Sequence, residues 1–262
     1  TVDPAACDGT PDVELAASVP ESLRVVRAPA WSLAQARRIG LGDLGLRAFT
    51  GLHRTARVLL SAARYDALFI TVYPVYPALL GPWLKRGFGV PFVLDYQDPW
   101  VGEWGRSVGP GPGGQPDLRS RASRMLATWL EPLALSAADA VTAVSRATFE
   151  QALARTPAAH PRVTEELPIG WDPADYTRAA ARPAPHTWWD RADDYVHIVY
   201  VGTLLPAGFT TLRATLAGLA QARATSPDAA RVRLHFFGTS NQRREAPPRV
   251  LPDARACASR PT

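Results

Sequence analysis

Two carboxylates and an amide stand at the end of one apolar run in the sequence. The segment FVLDYQDPW, residues 92–100, begins as a buried strand and then places Asp95, Gln97 and Asp98 before a proline and Trp100. Ligands of open α/β sheets bind in the crevice outside the carboxyl ends of the strands. The segment therefore predicts polar side chains that meet a ligand at the end of a core strand.

Each of these residues also has a purely structural explanation. An aspartate before a proline often begins a turn, as Asp98 would. Asp95 would cap a backbone group or pair with an arginine, and Trp100 would pack beneath the loop instead of stacking on a sugar ring. The residues alone leave both explanations open.

Hydroxyl groups and glycines follow other predicted strands. Ser145 comes directly after the run at 140–144 and is well placed to cap the next helix. Gly202 and Gly238 each end a predicted strand, where a glycine allows a ligand to approach the backbone closely. Thr210 would cap the helix after the first of these glycines, and the amino end of a helix attracts phosphate. Either glycine alone could serve a tight turn, but the pair in consecutive units indicates phosphate binding.

The charge pattern argues against nucleic-acid binding. The net charge is +5, with 29 basic residues among 262. Lys85 is the only lysine, and the arginines are scattered among acids instead of forming the long basic run of a nucleic-acid arm. We therefore expect no nucleic-acid partner.

Cysteines and histidines give no sign of a metal site. Cys7 and Cys257 lie at opposite ends of the chain, without metal-ligand spacing, and suit a reducing compartment such as the cytoplasm. His197 and His235 fall inside strand-like runs, which favours a structural role. We expect neither a metal nor a cofactor.

Short apolar runs alternate with helical patterns along the chain. The runs are residues 23–26, 67–73, 91–95, 140–144, 196–201 and 232–237. Strands that are almost continuously apolar and alternate with helices predict a parallel sheet covered on both faces. Residues 67–84 are uncharged, but three prolines divide them, so we expect a strand, a turn and a buried helix instead of a membrane span.

Two long helices are predicted, at 44–63 and 117–138. Apolar residues of the second recur at helical spacing: Leu118, Ala122, Met125, Leu126, Trp129, Leu130 and Leu133. We expect this stripe to face the core, with Arg119, Arg121 and Arg124 in solvent. Contact of this helix with an acidic membrane surface is the alternative.

Composition changes predict two domains joined by a linker. Residues 179–194 are rich in alanine, proline and charged residues and separate two sets of strand–helix units. We assign residues 1–178 to the first domain and residues 195–262 to the second.

Taken in order, five motifs resemble glycosyltransferases of the GT-B architecture, close to family 4. These motifs are VLDYQDPW, AADAVTAVSRATFEQAL, ELPIGWDPADY, HIVYVGTLLPAGFTTL and LHFFGTS. The resemblance implies an α/β fold with two Rossmann-like parallel sheets and a nucleotide-sugar bound in the cleft between them. The family's first strand with its glycine-rich loop and its paired glutamates are not found. We therefore expect the first domain to lack its first strand, the second to be incomplete, and the chain to be a truncated and inactive fragment.

The resemblance also implies a reaction and a set of site residues. A sugar would pass from a nucleotide-diphosphate donor to a glycan, lipid-linked or small-molecule acceptor, with retention. The reaction would take place in the cytoplasm or peripherally at the inner face of the membrane. Asp98 would be the catalytic residue. The donor would be bound by Gly202, Thr203, Gly208, Thr210, Gly238 and Thr239. The acceptor or sugar side would consist of Asp95, Gln97, Trp100, Ser145 and Gly170.

Two other functions remain open at this stage. A nucleotide-sugar epimerase could use the same scaffold, because fold does not determine function. Such an enzyme would need a carboxylate and histidine set in the cleft, and the sequence shows no such set. A binding module without catalysis is the second alternative, and the absence of the glutamate pair favours it.

Overall fold

The computed structural model describes residues 1–7, 16–38, 41–109, 115–181, 188–190, 192–202 and 208–237. The chain divides into two compact units, each with its own parallel sheet. The first unit comprises Thr1–Arg106 and Leu118–Ile169, and the second comprises Ser107–Asp117 and Gly170–Thr262.

Four parallel strands form the sheet of the first unit, in the order β1-β2-β3-β4. They are β1 Leu68–Thr71, β2 Phe92–Tyr96, β3 Ala140–Ala143 and β4 Val163–Glu166. The register places Asp95 beside Thr71 on one neighbouring strand and beside Thr142 on the other. Because all four strands run the same way, their carboxyl ends share one edge of the sheet.

Helices precede β1 and connect the strands that follow it, as parallel pairing requires. They are α1 Leu33–Arg38, α2 Leu44–Ala62, α3 Leu80–Phe88, α4 Leu118–Leu135 and α5 Arg146–Arg155, with a 3₁₀ turn at Tyr76–Leu79 before α3. Asp43 begins α2 by accepting a hydrogen bond from the Leu46 N–H at 2.9 Å. Gly89 ends α3 in the left-handed conformation, with φ of 71°.

The strand β2 lies in the core of the first unit. Phe92, Leu94 and Tyr96 are fully buried, and burial of one such side chain contributes about 1.5–3 kcal/mol. Gly81 of α3 makes room for this packing, because a Cβ at its position would lie 2.5 Å from the Phe92 ring. The strand that carries Asp95 is thus enclosed by the helices around it.

An ion pair fixes β2 at the amino edge of the sheet. Lys85 Nζ donates hydrogen bonds to Asp139 Oδ1 at 2.8 Å and to the Ala137 carbonyl at 2.9 Å, and the Phe92 N–H donates to Asp139 Oδ2 at 3.0 Å. Burial raises the pKa of Asp139, but these hydrogen bonds and the charges of Lys85 and Arg162 outweigh it, so the pKa is lowered. The start of β2 is therefore tied to both α3 and the residue before β3.

The second unit has a sheet of two parallel strands. They are β5 Val196–Val201 and β6 Val232–Phe237, and the helices are α6 Pro173–Ala181, α7 Gly208–Thr225 and α8 Pro227–Ala230. Asp172 precedes α6 and accepts a hydrogen bond from the Ala174 N–H at 2.9 Å. The helix α6 continues to Ala181, within the range assigned to the linker, and the domain boundaries remain a prediction.

The predicted fold class is confirmed, since an α/β chain forms two separate parallel sheets. Strands form in five of the apolar runs, and residues 67–84 form the expected strand, turn and helix. The strand predicted at 23–26 is wrong. Leu23 and Val25 are exposed, and the only β-pairing near this segment in the described part of the chain is an isolated bridge between Ala28 and Val2.

The predicted orientation of the helix at 117–138 is also wrong. A helix forms, but the residues that α4 buries are Ser120, Ala127, Glu131, Ala134 and Leu135. Of the predicted apolar stripe, Leu130 packs partly against the core, whereas Leu118, Met125 and Trp129 are mostly exposed. Small side chains and one paired carboxylate therefore face the sheet.

Candidate active site

Asp95 is held at the carboxyl end of β2 by two side chains. Thr142 Oγ1 donates a hydrogen bond to Asp95 Oδ1 at 2.7 Å, and Gln97 Nε2 donates to Asp95 Oδ2 at 2.5 Å. Asp95 is only 4% exposed, so its buried oxygens need these donors in place of water. The structure brings Asp95 and Gln97 together in an arrangement that occupies both carboxylate oxygens, and their role on the acceptor or sugar side stays a prediction.

Asp98 lies directly beyond this arrangement and is exposed. The chain is anchored again at Trp100, which is 7% exposed and meets Tyr76 edge to face, with ring centroids 6.5 Å apart. Trp100 thus packs in the core, which favours its structural explanation over stacking on a sugar. Asp98 therefore projects from a short segment that is fixed on both sides.

Tyr76, the partner of Trp100, is also in a polar environment. Burial raises the pKa of Tyr76, the nearby Asp43 carboxylate raises it further, and a hydrogen bond with Ser123 opposes the change. The phenol is therefore neutral at physiological pH and serves the site as a packing group.

Ser145 occupies the position before α5, at the carboxyl end of β3. Its backbone is extended, as at a helix start, but its side chain makes no capping bond to the backbone. Its hydroxyl is instead hydrogen-bonded to the Thr148 hydroxyl at 3.0 Å. The predicted position of Ser145 is therefore observed, whereas its capping hydrogen bond is not.

Gly170 belongs to the second unit and has open space around its Cα. A Cβ built at this position meets nothing within 4 Å, and the residue is exposed. Among the described residues, no close backbone approach requires a glycine here. Its role on the sugar side stays a prediction.

Gly202 directly follows β5, and its backbone conformation favours glycine. Its φ is 148°, and its N–H donates a hydrogen bond to the Phe237 carbonyl at 3.0 Å. The next helix, α7, begins at Gly208, so Thr210 lies in its first turn and not at its cap. Thr203, Gly238 and Thr239 lie outside the described residues.

A buried ion pair lies behind the end of β2. Arg155 donates to Glu131 through Nε at 3.1 Å and through Nη2 at 2.8 Å, and the Glu131 side chain is 1% exposed. Burial raises the pKa of Glu131 against the opposing effect of Arg155. Burial and the Glu131 charge also raise the pKa of Tyr96, whose hydroxyl makes no hydrogen bond of regular geometry within the described residues. This group joins α4 to α5.

One aspartate and two histidines form a hydrogen-bonded group in the second unit. His197 Nε2 lies 2.9 Å from Asp193 Oδ1, and His197 Nδ1 lies 2.8 Å from His235 Nε2. The Trp189 ring stacks on the His197 ring with centroids 5.2 Å apart. The hydrogen bond from His197 and that from the Tyr195 N–H lower the pKa of Asp193.

This Asp193–His197–His235 group contains the residue types that an epimerase would need, but it is poorly placed for a sugar. The His197 side chain is 14% exposed and is covered on one face by Trp189. The group therefore serves to hold residues 188–190 against the sheet. Across the described residues, no group of three or more His, Cys, Asp or Glu side chains is arranged to hold a metal ion.

Sequence reasoning missed three of the contacts in these groups. Thr142 carried a signal, because a hydroxyl in an apolar strand lies beside Asp95 once the parallel register is drawn. Glu131 was visible as the only acid of α4, although its partner Arg155 is 24 residues away. The Asp193–His197 contact follows from their spacing only if the turn before β5 is known.

A comparison with known families gives a match over the first unit. The family model of the glycosyl transferase 4-like domain matches residues 2–165. This range covers more than half of the chain and contains β1 to β3, Asp95, Asp98 and Ser145. The chain matches no curated protein.

Proposed function

The chain belongs to the glycosyltransferase 4-like family, and on that basis we propose that it transfers a sugar from a nucleotide-diphosphate donor to an acceptor hydroxyl. The acceptor binds at the carboxyl edge of the first unit's sheet. The observation that carries the proposal is the exposed Asp98 carboxylate between two anchored neighbours, Asp95 and Trp100.

The anchoring gives Asp98 a role in orientation. Asp95 is fixed by Thr142 and Gln97, so the chain leaves β2 along a defined path. A carboxylate held at the end of such a path accepts a hydrogen bond from a sugar hydroxyl without first being ordered. A group that is already positioned before the substrate binds lowers the barrier to group transfer.

The proposed reaction retains the configuration of the donor sugar. The bond between the anomeric carbon and the phosphate oxygen breaks, and its electron pair leaves with the nucleoside diphosphate. The acceptor oxygen then forms a bond to the same face of that carbon, and its proton passes to the leaving phosphate oxygen. Asp98 orients the acceptor hydroxyl or the sugar during this exchange, and the chain supplies no covalent group.

The donor diphosphate binds in the second unit, where β5 ends and α7 begins. Gly202 allows close approach to the backbone, and Gly208 and Thr210 lie in the first turn of α7. Unpaired N–H groups at the amino end of a helix bind phosphate. Thr203, Gly238 and Thr239 remain part of this proposed donor set.

Binding and turnover with a panel of radiolabelled nucleotide-diphosphate sugars test the proposal. We expect Asp98→Asn to lower transfer or donor hydrolysis by about 100-fold, a usual loss when a substrate is mispositioned, with donor affinity unchanged. Asp66→Asn is the matched control, because Asp66 is also exposed but precedes β1. Unchanged turnover in Asp98→Asn would remove this residue from the site.

The donor site is tested separately by calorimetry. We expect Gly202→Val to weaken binding of the nucleotide-sugar, because a branched side chain is strained at φ of 148° and blocks the backbone. Gly218→Val, in an open position on α7, controls for loss of glycine. Undiminished affinity in Gly202→Val would end the assignment of the donor loop, and no binding of any nucleotide-sugar would favour a binding module for another ligand.

A further inference from the structure

The helix α4 carries an apolar stripe on its outer face. The stripe consists of Leu118, Ala122, Met125, Leu126, Trp129 and Leu133. Leu118 is 85% exposed, Trp129 is 73% exposed and Leu133 is 60% exposed. Such residues normally supply the core-facing side of a helix, so a continuous row of them in solvent marks an interaction surface.

The stripe lies opposite the face by which α4 packs on the first unit. At 3.6 residues per turn the stripe covers an arc of about 100°, and the buried residues Ala127 and Glu131 fall on the other side of the helix. Glu131 is fixed there by Arg155, so rotation of α4 would expose the ion pair. The outward position of the stripe is therefore built into the fold.

Within α4, the charged residues at the two edges of the stripe are basic. Arg119, directly after Leu118, lies at one edge of the stripe. Arg121 lies at the opposite edge. The only acid of α4 is Glu131, which faces inwards. Arg124, further round the helix, donates a hydrogen bond to the Gly102 carbonyl and holds the helix to the loop after β2.

We propose that α4 lies in the surface of an anionic lipid bilayer, with the apolar stripe among the acyl chains and the arginines at the phosphates. A narrow apolar arc with a central tryptophan and flanking arginines is typical of helices that lie in the membrane interface. A protein partner would more often present a groove for such a helix and acids for the arginines. None of the helices in the described part of the chain is long and apolar enough to cross a membrane.

The placement also bears on the acceptor, if the proposed function holds. The helix α4 is held to the loop that carries Asp98 by the hydrogen bond from Arg124 to the Gly102 carbonyl, and it ends before β3, whose carboxyl end lies beside Asp95. Docking of α4 would therefore bring the acceptor side of the first unit to the bilayer. This geometry suits an acceptor attached to a lipid.

Vesicle flotation of the full chain tests the docking without any assay of transfer. We expect the chain to float with vesicles that contain an anionic phospholipid, and to bind neutral vesicles at least tenfold less, because the arginines need the phosphate charge. Salt should weaken the binding, since surface charges are screened.

Matched variants identify the surface. Trp129→Ser should abolish flotation, whereas Trp171→Ser should not, because Trp171 is 71% exposed but lies in the second unit. Arg121→Glu should reduce binding to anionic vesicles, and Arg57→Glu on α2, with the same change of net charge, should leave it intact. Circular dichroism confirms that each exposed substitution leaves the fold unchanged.

The single methionine gives a direct signal from the stripe. Met125 is 62% exposed, and a ¹³C-labelled methyl group there gives one resonance, which Met125→Leu identifies by removing it. We expect this resonance to broaden with anionic vesicles. Failure to bind anionic vesicles, equal loss in Trp129→Ser and Trp171→Ser, or a dimer that Trp129→Ser dissociates would each overturn the proposal.

Discussion

The strands β2 and β5 have comparable apolar sequences but opposite exposures. Phe92 and Leu94 of β2 are fully buried, whereas Val196 and Ile198 of β5 are 50% and 51% exposed. An apolar run predicts that a strand forms, because β-branched and aromatic residues suit a pleated backbone. It does not predict how much of the strand is covered, since coverage depends on the helices that pack on it.

The polar contacts of the two units differ in the same way. In the first unit, Glu131 and Arg155 form an ion pair inside the protein, with the carboxylate 1% exposed. In the second, Arg178 and Asp175 pair on the surface of α6, where both side chains are more than half exposed. Because desolvation makes an unpaired buried charge costly, matched substitutions in the two units should have unequal effects.

The largest effect is expected at the buried pair. Arg155→Gln leaves the Glu131 carboxylate without its cation, which should lower the free energy of unfolding of the first unit by about 3–5 kcal/mol. Hydrogen-exchange mass spectrometry checks this, because peptides from β2 and β6 report the two units separately.

The surface pair is the control for this substitution. Arg178→Gln should change the stability of the second unit by less than about 1 kcal/mol, since exposed ion pairs contribute little. Equal losses in the two variants would show that the buried position of Glu131 has no energetic consequence.

A smaller effect is expected from glycines inside helices. A Cβ at Gly81 would lie 2.5 Å from the Phe92 ring, so Gly81→Ala should destabilise the first unit by about 1–3 kcal/mol through overpacking. In α7 of the second unit, Gly218 has nothing within 4 Å of such a Cβ. Gly218→Ala should therefore stabilise its unit by about 1 kcal/mol, because alanine favours the helix.

Thermal unfolding measures both glycine variants. A melting temperature that falls in Gly81→Ala and rises in Gly218→Ala would support the difference in packing between the units. Two shifts of the same sign would contradict it.

The sequence predicted the strands well because their signal is local. The runs at 91–95 and 140–144 contain their own apolar residues and end in polar ones, and both form strands. The position of Asp95 at a carboxyl end followed from the same pattern. Its partner Thr142 required the register between two strands, which a single strand does not encode.

The orientation of α4 could not be predicted from its periodicity. An apolar stripe normally faces the core, and here Leu118 and Trp129 do not. The face is decided by Glu131, whose partner lies on another helix, and by small residues that allow close packing. A pattern within one helix contains neither piece of information.

The smallest effect is expected from pH, and it can be compared between the two units. Asp139 of the first unit and Asp193 of the second both have a lowered pKa. The pKa of Asp193 is lowered mainly by hydrogen bonds. At Asp139, hydrogen bonds and nearby charges outweigh burial, which raises the pKa. A folded-state pKa below the ordinary 3.8 means that each carboxylate stabilises its unit at neutral pH. That stabilisation is lost as the pH falls from the ordinary value through the lowered one.

Urea titrations at pH 7 and pH 3, followed by amide NMR signals of β2 and β6, measure this loss in each unit. At pH 7, Asp139→Asn should cost about 1 kcal/mol or less, because its partner Lys85 is 38% exposed. At pH 3 the difference from the unsubstituted chain should shrink, since protonation has already weakened the ion pair. Asp193→Asn should behave in the same direction at β6 and leave β2 unaffected, because its hydrogen bonds lie within the second unit. A difference that grows towards acid would mean that the carboxylate is held with a raised pKa and that the hydrogen bonds from Lys85 or His197 do not form in solution.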